Sequence, residues 1–64
     1  MDTYNQNLDI ITLPCEDGRR IFVRKLAIAA IMEDKDIYKS RILVNSSQIV
    51  ITLSFEALRS KLKW

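Results

Sequence analysis

The side chains of this sequence that are able to do chemistry fall into a few small groups. Glu16 and Asp17 stand together, and Glu33, Asp34 and Asp36 form a second acidic group. Paired carboxylates perform general acid and base work when burial raises one pKa above the other. Both groups fall in segments that read as solvated turns, which leaves them without that burial. Asp34-x-Asp36 supplies two steps of a calcium loop but lacks the following glycine and the distant bidentate glutamate. Cys15 is a thiol whose pKa only neighbours such as Arg19 and Arg20 would lower, because the chain has no histidine to serve as its base. The absence of histidine also removes the commonest metal ligand and the usual pH switch. One glycine cannot build a glycine-rich phosphate loop. These residues predict no catalytic group, no metal and no cofactor.

The cations form two clusters. Arg19, Arg20, Arg24 and Lys25 gather around one turn, and Arg59, Lys61, Lys63 and Trp64 gather at the C-terminal end. A guanidinium forks onto phosphate, and an aromatic ring such as Trp64 or Tyr38 stacks on a base. The net charge of +2, from ten basic and eight acidic residues, is too small for composition alone to demand nucleic acid or an anionic membrane. Solvated faces, with Arg24 and Lys25 opposite acidic groups, explain the same pattern. Arg19, Arg20, Arg24 and Lys61 are the candidate partner-binding residues.

The elements that position these groups must fit in 64 residues, enough for one small domain that buries roughly 60% of its unfolded surface. Each ordered residue costs about 1.5 kcal/mol of conformational entropy, so domains of this size usually lean on disulfides, a metal or a partner subunit. A single cysteine excludes an internal disulfide. Met1–Asn7 is polar and without period, and reads as a flexible lead-in. The first ten residues carry no cation and no apolar run, which predicts no secretory signal or transit peptide. The longest apolar run, Leu26–Met32, is far short of the ~20 residues of a membrane span. Together with the lone cysteine, this predicts a cytoplasmic protein.

Leu8–Leu13 is rich in β-branched residues and bounded by Pro14, which predicts a strand. Asp17-Gly18 is a strong hairpin signal, and Ile21–Arg24 returns as the partner strand. Lys25–Lys35 carries helix-favouring residues such as Ala27, Ala29 and Ala30. Its apolar run nevertheless has no polar face, and a strand from about Ile28 to Glu33 fits the spacing better. That strand pairs, through the loop Asp34–Lys39, with Arg41–Val44; a polar loop, Asn45–Gln48, then leads to Ile49–Leu53. Ser54 stands where its hydroxyl can cap a helix, and Phe55, Leu58 and Leu62 make an apolar stripe along it. The expected fold class is α+β and mainly β, with about five short antiparallel strands in a small sheet or barrel and one C-terminal helix. Residues 8–64 form the single domain, and the helix spans 54–63.

The order of these elements, with Asp17-Gly18-Arg19, Ile21 and Val23, Ile28 and Ile31, Ile42, Ile49, Ile51, and Ser54 with Leu58, resembles small bacterial FlbD/SwrD-type proteins associated with flagella. Similar strings occur in the DNA-binding domains of LytTR-type regulators and in short phage and mobile-element proteins. The resemblance covers Leu8–Leu62 and implies the fold more than a function. Asn45–Gln48 lacks the turn glycine of the flagellar pattern.

Self-association has the strongest physical warrant. A half-buried strand alternates apolar and polar residues, whereas Leu8–Leu13, Ile21–Val23, Ile42–Val44 and Ile49–Leu53 are apolar on both faces. One short helix covers a single face. The other, holding Ile10, Phe22, Leu43 and Val50 or their neighbours, is left as an apolar patch of the kind that marks interfaces. A second copy is the simplest cover, and a closed small barrel is the alternative. The candidate interface residues are Phe22, Ile28, Ile31, Leu58 and Trp64. The expected function is a non-enzymatic, homo-oligomeric protein-interaction or regulatory module, bacterial or phage-borne, that also contacts another protein. The alternative is a nucleic-acid-binding regulator that uses the basic hairpin and the basic helix.

Overall fold

The computed structural model describes residues 10–64, so the lead-in and the first two residues of the first expected strand lie outside the described residues. Five antiparallel strands and one C-terminal helix follow: β1 (Ile10–Pro14), β2 (Arg20–Arg24), β3 (Ile28–Glu33), β4 (Ser40–Val44), β5 (Ser47–Ile51) and α1 (Phe55–Leu62). The strands form two small sheets, β1-β2 and β3-β4-β5. The fold is α+β and mainly β.

The first hairpin closes where the Asp-Gly pair predicts. Asp17 and Gly18 take φ of 65° and 71°, and the Arg19 amide donates to the Glu16 carbonyl at 3.3 Å. Positive φ at both central positions is the handedness that matches the twist of paired strands. Pro14 belongs to β1, opposite Arg20, instead of lying beyond its end. The N and C=O of one strand residue point to the same side, and the Pro14 carbonyl accepts the Thr52 amide at 3.0 Å. The missing N–H therefore faces away from β2, and the β1-β2 ladder loses no bond. This contact and the Cys15–Ile51 bridge join the two sheets.

Lys25–Ala27 forms a short 3-10 turn, and the apolar run continues as β3. The second hairpin is tighter than the sequence predicts. Asn45 adopts a left-handed φ of 57°, so Asn45-Ser46 alone make the turn. Ser47 and Gln48 then enter β5 opposite Val44 and Leu43. The strand consequently ends at Ile51 and not at Leu53.

Leu13, Ile28, Ile42, Ile51, Leu58 and Leu62 form the buried core, with Ile11, Ile21, Val23 and Ile49 among the side chains packed against it. Each such buried side chain contributes about 1.5–3 kcal/mol. The helix is held to the sheet through Leu58 and Leu62, and its start is fixed by two serines. The buried Ser40 hydroxyl donates to the Leu53 carbonyl at 2.9 Å, while the Ser54 Oγ accepts the Ala57 amide at 3.2 Å. At the other end Lys63 takes φ 60° and ψ 44°. The Lys63 and Trp64 amides return to the carbonyls of Ser60 and Arg59, the paired bonds of a Schellman cap.

Candidate functional site

Asp34, Asp36 and Glu16 are bonded within the fold. Asp34 Oδ1 accepts the Arg41 Nε–H at 2.7 Å, its Oδ2 accepts the Asp36 amide, and Asp36 Oδ1 accepts the Tyr38 amide. Two successive side-chain turns thus fold the loop 34–39, using the oxygens that a cation would need. The Arg41 guanidinium, followed by the Asp36 amide, holds the Asp34 carboxyl below the usual aspartate range. Arg41 also donates to Gln48 at 3.1 Å, which ties β4 to β5 across the outer sheet face. Glu16 pairs with Lys39 at 3.4 Å and Glu56 with Arg59 at 3.0 Å. A groove of about 280 Å³ between this loop and the start of α1 is lined by Glu33, Asp34, Ile37, Lys39, Ser54, Phe55 and Glu56. Its Ser54 hydroxyl is bonded to the Ala57 amide and its Asp34 to Arg41. Cys15 is half-buried beside the first turn.

Strand alternation sorts the candidate partner residues. Ile21 and Val23 turn inward from β2, while Arg20, Phe22 and Arg24 are exposed on its outer face. The register sets Pro14, Thr12 and Ile10 beside those three residues. Arg19 lies outside this row, next to Cys15, Gln48 and Ile49 around a separate groove. Lys61 is exposed on α1. The structure therefore brings together two of the four predicted partner residues, Arg20 and Arg24, and sets an aromatic ring between them. Among the described residues no carboxylate lies within ion-pair distance of either arginine. Among the described residues no acidic group is paired with Arg24 or Lys25.

The predicted interface residues divide differently. Ile28 and Leu58 are core residues, 5% and 0% exposed, and have no surface left for a partner. Leu58 is taken up because α1 must bury a stripe to stay docked, and Ile28 because it begins β3 on the inner side. Ile31 is half-buried against the same core. Phe22 and Trp64 remain outside, at 75% and 46% exposure.

The apolar groups expected on an uncovered face do lie away from the core. Ile10 is exposed, and Leu43 and Val50 alternate with the inward Ile42 and Ile51. The β3-β4-β5 register places Ala30 beside Leu43, and Met32 next to Arg41. Ala30, Met32, Leu43 and Val50 thus form the apolar part of the outer face, with Arg41 and Gln48 as its polar part. Leu26, in the turn before β3, is 84% exposed and was not distinguished by the pattern, because nothing inside a continuous apolar run marks where one element stops.

The chain matches no protein-family model, no curated protein and no solved structure. Among the described residues no helix is long and apolar enough to cross a membrane.

Proposed function

We propose that this chain is a non-enzymatic interaction module that self-associates through the three-stranded sheet. The observation that carries this reading is the uncovered outer face of β3-β4-β5 beside the edge of β3. Among the described residues β3 pairs with β4 alone. From Ile28 to Met32 it has no charge and no proline, two of the devices that protect an edge from pairing, and the irregularity in its register lies at one end, between Ile28 and Ala30. A second copy presenting the same edge across a two-fold axis satisfies both sets of free backbone groups and extends the apolar outer face. The low net charge of +2 opposes such pairing only weakly. The resemblance to FlbD/SwrD-type proteins, which bears on the fold more than on a function, agrees with a small regulatory module that contributes contacts and no chemistry.

Sedimentation equilibrium over a hundredfold range of concentration tests the association. The expected species is a dimer, twice the 7.5 kDa chain mass. Met32→Lys, which places a charge on the outer face of β3, should yield a monomer that still melts cooperatively. A wild-type chain that stays at 7.5 kDa at every concentration would overturn the reading.

A further inference from the structure

A second surface lies on the other sheet and has a different chemistry. The outer face of β1-β2 carries Arg20, Phe22 and Arg24 in a row, with Pro14, Thr12 and Ile10 beside them. Residues two apart on a strand are about 6.8 Å apart, so the two arginines are separated by about 14 Å with the ring midway. Phe22 is 75% exposed and has no polar atom to satisfy in water, so it gains by covering a flat apolar face. Arg20 and Arg24 have no carboxylate partner among the described residues, whereas Arg41 and Arg59 do. An occupant that satisfies all three side chains has a flat ring between two anionic groups.

We propose that this face binds single-stranded nucleic acid, with one base stacked on Phe22 and the flanking phosphates held by Arg20 and Arg24. A duplex fits poorly, because its base faces are already stacked within the helix and only its phosphates are offered. A second copy fits poorly as well. Face-to-face pairing would bring four arginines together with no acid on either outer face among the described residues. Among the described residues the other exposed rings, Tyr38 and Trp64, are on the loop after β3 and after α1. Of the α1 cations, Arg59 is paired with Glu56 and Lys61 is exposed on a separate element. The row itself is built on the β1-β2 hairpin.

The test is fluorescence anisotropy with labelled 12-nucleotide oligouridylate and oligothymidylate, a duplex of equal length and a polyglutamate peptide. The single strands should bind more tightly than the duplex, and the peptide should not displace them. Two phosphates held by the arginines predict a slope of log affinity against log salt of about −1.4, which Arg20→Gln with Arg24→Gln should abolish. Phe22→Ala and Phe22→Leu should each weaken binding about tenfold while Phe22→Trp retains it, because stacking needs a ring and not merely an apolar group. Circular dichroism melts establish that each variant is folded, and the exposed position of Phe22 makes its replacement benign. Equal affinity for duplex and single strand, displacement by polyglutamate, or full binding by folded Phe22→Leu would each overturn the proposal. Because this face is separate from β3, the result is independent of the oligomeric state.

Discussion

Lys63 sits in the left-handed region at the C′ position of α1, a conformation that costs a residue with a Cβ about 1–2 kcal/mol. Glycine adopts it freely but loses more entropy on folding, so Lys63→Gly should stabilise the chain by about 0.5 kcal/mol, read as a higher urea midpoint with unchanged slope. At Asp34 the sequence shows a carboxylate in a polar segment, and nothing in its spacing reveals that Arg41 will arrive from the next strand. The contact depends on β3 and β4 pairing in one register, which makes it a tertiary property. Its side chain is only 11% exposed, and its folded-state pKa lies below the ordinary value of 3.8. The stabilisation is therefore present above pH 3.8 and lost as pH falls through the lower folded value. Acid titration of thermal stability should show this loss in the wild type, and Asp34→Asn should flatten it while lowering stability at neutral pH.

The elements were largely legible because their signals are local. Asp17-Gly18 and the Ser54 cap each state a backbone conformation within a few residues, and the structure has a turn and a helix start at those positions. Strand ends were less legible. The left-handed Asn45 shortens a turn that its composition made look four residues long, and Pro14 remains in β1 because its missing N–H faces away from β2, on the side where its carbonyl meets the Thr52 amide just past β5. The helix depends on docking, since eight residues are too few to hold a helix in water. Leu58→Ala should cost about 2–5 kcal/mol, comparable to the whole stability of so small a core. Its far-ultraviolet dichroism should show partial unfolding at room temperature, while Glu56→Ala on the exposed side of α1 should melt close to the wild type.

For the molecule as a whole, apolar strands on both faces signalled that some surface would be left uncovered, but not which residues would lie there. Which side of a strand faces the core depends on register and on where α1 docks. Phe22 and Ile28 are equally apolar in the sequence, yet one is on the outside of a hairpin and the other in the core. The same sorting placed Arg20 and Arg24 together and separated them from Arg19. These assignments give the chain two surfaces of different character, an uncharged edge on one sheet and a cationic aromatic row on the other.

Among the described residues the two sheets meet at the Cys15–Ile51 bridge, where the Thr52 amide donates to the Pro14 carbonyl at 3.0 Å. Hydrogen exchange turns that bond into a local gauge of cohesion between the hairpin and the rest of the chain. If the hairpin detaches before the three-stranded sheet unfolds, Thr52 will exchange faster than the paired amides of β4, with a shallower dependence on denaturant. Equal protection factors and equal slopes at Thr52 and in β4 would make the whole fold a single cooperative unit. In the first case the chain opens at a seam, and the hairpin can move as a separate body while its neighbours remain folded.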